Sequence, residues 1–169
     1  MEIREITAND TEKFFDMLCR LDEETEFMMY EPGERQEKTK DFTRLNSVIA
    51  SAVSGDDLLL IAETEKKEIV GFLHAERGKL NRIRHMAYVV VGVRANYRGQ
   101  GIGTEFFRRL DDWAKEKGIV RLDLTVECPN TKAKSLYEKN GFQVEGIRSK
   151  SMKVASRLTD EYYMAKICG

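Results

Sequence analysis

The chain has 169 residues, 41% of them hydrophobic and 34% charged, with a formal net charge of -1. That length suits one domain with a real core, and the balanced charge provides no global basic field for nucleic acid. No apolar run reaches membrane-spanning length. The start, Met1-Glu2-Ile3-Arg4-Glu5, has no apolar targeting core, and Cys19, Cys128 and Cys168 lie far apart without a C-x-x-C pair, so neither a disulfide framework nor a metal site is expected, and the default setting is a reducing cytoplasm.

Residues 3–6 alternate and predict a short first strand. Thr7 or Asn9 is placed to cap a helix carrying Phe14, Phe15, Leu18 and Leu21 at helical spacing. Residues 23–40 are polar, interrupted by Phe27-Met28-Met29-Tyr30 and the turn signal Pro32-Gly33, and read as a loop. The stripe Phe42, Leu45, Val48, Ile49 and Val53 predicts the next helix. A hairpin follows, with strands at 58–63 and 69–76 around the charged turn Glu65-Lys66-Lys67-Glu68. Residues 85–93 form the longest apolar strand and predict a central position covered on both faces.

Ile102, Phe106, Leu110, Trp113 and Ala114 mark the inward face of a further helix, closed near Gly118. In residues 120–126, Leu122, Leu124 and Val126 point one way, while Asp123, Thr125 and then Glu127 point the other. Residues 130–140 predict a helix stopped by Asn140-Gly141. Two last strands are expected at 142–148 and 162–167, joined by a polar segment at 154–159. This order predicts an α/β fold, a single domain over 1–169 with a mixed central sheet of about six to seven strands flanked by helices, antiparallel early and parallel where a helix joins two strands.

The stretch Arg98-Gly99-Gln100-Gly101-Ile102-Gly103, followed by Thr104, stands between a predicted strand and a predicted helix. Alternate glycines let backbone approach a ligand closely. The helix start offers N–H groups and a favourable dipole for an anion, with Arg98 adding charge. A dinucleotide fingerprint starting at Gly99 requires glycine where Thr104 stands, and a P-loop requires a lysine between Gly103 and Thr104. Both fail on a specific residue. The plain alternative is a glycine turn ahead of an ordinary helix.

Farther along, Asn130, Ala133, Lys134 and Tyr137 recur at helical spacing and share one face. Arg-Gly-Gln-Gly-Ile-Gly resembles the pyrophosphate loop of the GNAT acetyltransferases, Q/R-x-x-G-x-G/A. The segment from Asn130 to Phe142 resembles that family's N-x-x-A-x-x-L-Y-x-x-x-G-F, and residues 161–167 look like its last strand. The resemblance implies that Arg98, Gly99, Gln100, Gly101, Ile102 and Gly103, with Thr104 close by, hold the pyrophosphate of acetyl-CoA. It implies that Val91, Gly92 and Val93 pair with the pantetheine arm and supply an N–H to the thioester oxygen. Asn130, on the helix face with Ala133 and Lys134, contacts the pantetheine, and Tyr137 protonates the leaving thiolate.

The base is less plain. Relatives acetylating peptide amines often carry a glutamate five residues before that asparagine, which is Thr125 here. Glu127, on the same strand face, is the candidate base, directly or through water; its plainer reading is an exposed strand-end carboxylate. His85 is a second candidate, with a structural role the plainer reading, and Cys128 reads as incidental. The acidic residues Glu23, Glu24, Glu26, Glu31 and Glu34 fall where the family places its substrate lid and read most simply as a solvated loop.

The implied function is an N-acetyltransferase moving an acetyl group from acetyl-CoA to a small-molecule or peptide amine by direct attack in a ternary complex. The alternative is a non-catalytic acyl-CoA sensor or interaction module on the same fold. Neither nucleic acid nor membrane is expected as a partner; a homodimer through the final hairpin is left open.

Overall fold

A computed structural model describes Met1–Gly169 and contains seven strands in the order β1-β2-β3-β4-β5-β7-β6, with five α-helices. The chain divides into two compact units, residues 1–75 with 90–106, and residues 76–89 with 107–169.

In the first unit, β1 (Glu2–Glu5) pairs antiparallel with β2 (Leu58–Glu63), and β2 pairs antiparallel with β3 (Ile69–Arg77). The unbroken apolar run of β2 is buried along its whole length, as a strand covered on both faces requires. The helical stripe foreseen at Phe14, Leu18 and Leu21 lies on α1 (Thr11–Glu24), where it joins Met17, Ile49, Leu59, Ile61 and Phe72 in one core. Phe14 meets Phe72 edge-on, with centroids 5.4 Å apart. Ile49 comes from α3 (Thr43–Val53).

The cap of α1 differs from expectation. Thr7 heads a short 3-10 turn, and Asp10 takes the cap position of α1. Asp10 Oδ2 accepts from the Thr7 N–H at 2.8 Å, and both its oxygens accept from Arg4 at 2.9 Å. Arg4 thereby holds the Asp10 carboxyl down at about 2.

Residues 23–40 are not one loop. Glu23 and Glu24 finish α1, and Glu34–Thr39 forms α2. Helix α2 has no buried residue, so no apolar stripe announced it. Arg35 anchors it by donating to both oxygens of buried Asp22, at 2.7 and 3.0 Å, while Glu34 pairs with Lys38.

In the second unit, the start of β4 (Met86–Val93) runs parallel to β5 (Arg121–Glu127), from Met86↔Arg121 to Tyr88↔Asp123. The parallel pair is joined through α4 (Ile102–Lys117), as foreseen for a helical crossover. The expectation that β4 is covered on both faces does not hold. Ala87 and Val89 are buried, whereas Tyr88 and Val90 are 44% and 38% exposed. The run is apolar on both sides, but only one side is packed.

Strands β5 and β6 (Gln143–Val154), although joined by α5 (Thr131–Lys139), are not neighbours. β7 (Arg157–Ile167) lies between them, antiparallel to both. The expected polar connection at 154–159 is mostly strand: β6 and β7 run on to a turn at Ala155 and Ser156, both with positive φ.

Candidate functional site

At the end of β4, the Arg94 N–H donates to the Val70 carbonyl at 2.9 Å. Strand alternation then turns the preceding amide, that of Val93, to the edge away from β3. Gly92, expected at the ligand, answers a packing need: a Cβ there would sit 2.9 Å from Phe72 and 3.0 Å from Leu21. Its side-chain direction therefore belongs to the core, leaving only its backbone to a ligand.

A 3-10 turn, Ala95–Tyr97, leads into the glycine loop. Gly99 and Gly101 have φ of 71° and 83°, and a Cβ at either would meet nothing within 4 Å. The glycines are thus required by backbone conformation, which costs an L-residue about 1–2 kcal/mol, and the space beside them is open. Gln100 Nε2 donates to the Asn96 carbonyl at 3.3 Å. Arg98 donates through Nε to the Val93 carbonyl at 2.9 Å, bracing the strand end while its charge stands beside the loop. The ladder of α4 opens with Glu105 N–H to Gly101 C=O at 3.1 Å, so the amides of Ile102, Gly103 and Thr104 precede it. Ile102 itself is buried, and its side chain anchors the helix start. An open left-handed turn, early amides of a 16-residue helix and one arginine together fit a diphosphate.

In the second unit, Asn130 caps α5, its Oδ1 accepting from Ala133 N–H at 3.3 Å. That bond leaves the amide nitrogen of Asn130 as the donor it can offer a ligand. Lys134 pairs with Glu138 at 2.7 Å and stands 5.4 Å over the ring of Tyr162, so its ammonium is engaged within the protein. Tyr137 is buried, edge-on to Phe107 at 5.9 Å and tilted against Phe142 at 6.1 Å. Burial, then the nearby Tyr88, push its phenol up to about 12. It remains a neutral O–H donor throughout the physiological range.

Glu127 is not an exposed strand-end carboxylate. It is buried at the last position of β5, opposite Glu161 of β7, which is buried too. Thr125 shares a hydrogen bond of 2.8 Å with the hydroxyl of Tyr88. Cys128 donates its N–H to the Asp160 carbonyl at 2.9 Å, and the His85 carbonyl accepts from Val120 N–H at 2.8 Å, a structural use of its backbone. Sequence reasoning passed over Tyr88 and Glu161. Both sit on strand positions where alternation predicts only a face, and only the β5–β7 register could reveal the Glu127–Glu161 match.

A model of the "Acetyltransferase (GNAT) family" matches residues 15–142. The chain belongs to this family. It is 28% identical over 104 residues to the L-amino acid N-acetyltransferase AaaT of Escherichia coli (strain K12), a stretch covering 59% of this chain and 62% of that protein. The chain spans less than two thirds of the length of the curated relatives it matches. Among solved structures, a GNAT-family acetyltransferase from Streptococcus pneumoniae superposes with a TM-score of 0.88 at 26% identity, over 99% of both chains. The phosphinothricin acetyltransferase Pat from Sinorhizobium meliloti, solved with acetyl-CoA, shares the fold with a TM-score of 0.80 at 16% identity, over 99% of this chain and 88% of that one. No helix of this GNAT protein is long and apolar enough to cross a membrane.

Proposed function

We propose that residues 1–169 act as one cytoplasmic N-acetyltransferase domain that passes the acetyl group of acetyl-CoA to a primary amine. Acetyl-CoA supplies a thioester, an acyl group already activated for attack. The loop amides from Arg98 to Gly103, with Thr104, hold its pyrophosphate, and the edge of β4 at Val91–Val93 and Asn130 hold its arm. The Val93 N–H stabilises the developing oxyanion. Glu127 takes one proton from the acceptor ammonium and releases it to solvent, and the amine nitrogen forms the new N–C bond. The C–S bond breaks as the oxyanion collapses, Tyr137 gives its proton to the departing sulfur, and the second N–H proton shed by the new amide nitrogen returns to the Tyr137 oxygen. The observation that carries the reading is the open turn at Gly99 and Gly101 feeding the first amides of α4.

The acceptor is a small molecule or peptide with a free amine. The Escherichia coli relative named for L-amino acids makes amino acids the first class to try. Calorimetric titration with acetyl-CoA, beside NADH and ATP, tests the loop; free thiol released with a panel of amines tests turnover. Selective binding with amine-dependent thiol release supports an enzyme. Binding without release from any amine favours an acyl-CoA sensor, a reading that Thr125, bonded to Tyr88 where peptide-acetylating relatives carry a carboxylate, keeps open. No binding of acetyl-CoA overturns both.

A further inference from the structure

The loop that holds the diphosphate in this reading has little to hold it. Residues 98–101 are exposed, and the side-chain bonds of Arg98 and Gln100 reach back only to Val93 and Asn96. Its shape therefore depends on how the chain leaves β4, at Arg94 and Ala95. One side chain meets both. Glu24, the last residue of α1, accepts the Ala95 N–H on Oε2 at 2.8 Å. On Oε1 it accepts from Arg94 Nε at 3.1 Å and Nη2 at 2.9 Å. Glu68 takes the third arm of the same guanidinium, at 2.7 Å from Nη1.

Resting on the acetyl-CoA reading, we infer that Glu24 is a positioning residue for the diphosphate loop: it fixes the loop's root to α1 and keeps Arg94 out of the anion site. The first effect follows from rigidity. α1 is seated in the core through Phe14, Met17, Leu18 and Leu21, so its last carboxylate is a fixed point against which Ala95 is held. The second follows from charge. Arg94 and Arg98 are four residues apart, and either could reach an anion. Glu24, together with Glu68, which also pairs with Arg20, holds and orients Arg94, whereas Arg98 bonds only to the Val93 carbonyl, feels the Glu24 charge and stays at the loop as its cation. Burial works against the charge on Glu24, but the Ala95 and Arg94 bonds outweigh it and hold its carboxyl below the usual range. The carboxylate is thus ionised wherever the enzyme works. This is not the solvated acidic loop that composition suggests: Glu24 lies at the surface, but its side chain is only 23% exposed and both of its oxygens are engaged.

A substrate lacking the diphosphate separates positioning from general damage. Acetyl-CoA and S-acetylpantetheine carry the same thioester, but only acetyl-CoA carries the diphosphate. In Glu24→Ala, kcat/KM for acetyl-CoA is expected to fall about tenfold through KM, with kcat at saturation held, while kcat/KM for S-acetylpantetheine stays within about twofold. Glu24→Gln keeps an acceptor for Ala95 N–H but loses the negative charge facing Arg94, so a smaller loss of about threefold is expected. It also serves if the alanine variant fails to fold. An equal loss with both substrates, or unchanged KM for acetyl-CoA in a folded variant, overturns the inference. Failure of the unaltered protein to bind acetyl-CoA overturns instead the reading on which it rests.

Discussion

Glu127 on β5 and Glu161 on β7 stand opposite one another in the antiparallel register, and both are buried. Residues so paired share a face, with Cβ atoms about 5 Å apart. Arg148 Nη1 lies 3.8 Å from Glu161 Oε1 and offsets that member's charge. Glu127, at the end of β5 before Asn130, is the member assigned proton removal in the proposed reaction. Glu127→Gln is expected to lower kcat about 100-fold, and Glu161→Gln by less than about tenfold. Thiol release under saturating acetyl-CoA measures both, and full turnover in Glu127→Gln removes it from the base role.

Tyr137→Phe keeps the ring contacts with Phe107 and Phe142 and deletes only the proton donor. A fall in kcat of about 100-fold, with acetyl-CoA affinity held within about twofold, is the expected result. The pH dependence has a definite sign. The acid role needs the protonated phenol, and a phenol raised to about 12 stays protonated past its ordinary range. No alkaline loss of kcat should therefore centre at the usual value of about 10; a fall there in kcat, absent from Tyr137→Phe, contradicts the burial described.

Gly101→Val is expected to weaken acetyl-CoA binding at least tenfold, because a branched side chain at a φ of 83° must distort the turn and fill the space beside it. Strain alone costs about 1–2 kcal/mol of stability, so calorimetry and thermal melting are read together. Wild-type affinity in a folded variant would place the diphosphate elsewhere.

Asp10 provides a test of stability alone. Its carboxyl is depressed to about 2, so it is charged in the fold over a range where the unfolded chain takes up a proton. Its contribution of about 2 kcal/mol is complete above the ordinary Asp value near 4 and disappears as pH falls through 2. Urea unfolding of wild type and Asp10→Asn should show a gap at pH 6 that closes towards pH 2. A pH-independent gap would mean that Arg4 does not act through charge.

The elements legible in the sequence are those that bury one clean face. The stripe of α1, the run of β2 and the alternation of β5 each reduce to burial, and each lies where periodicity puts it. Helix α2 was silent because a single ion pair to Asp22, not an apolar stripe, holds it. β4 misled because its apolar residues on one face stay exposed. The glycine loop was legible because left-handed backbone demands a residue type, whereas Glu24 and Glu161 depend on partners 71 and 34 positions away, at Ala95 and Glu127. Local pattern carries no trace of such distances.

The placement of β7 between β5 and β6 has a consequence for how the protein is made. β7 leaves the ribosome after both of its neighbours yet lies between them, so β5 and β6 emerge with edges that stay unpaired until β7 arrives. β6 meets β7 through a local hairpin, but the sheet of the second unit is completed only by the β5–β7 pairing of residues 34 to 46 positions apart, a contact that slows folding and leaves an open edge on β5 in the nascent chain. A ribosome stalled ahead of β7 should present those edges to chaperones, and synthesis should depend more on their supply than the size of the protein suggests.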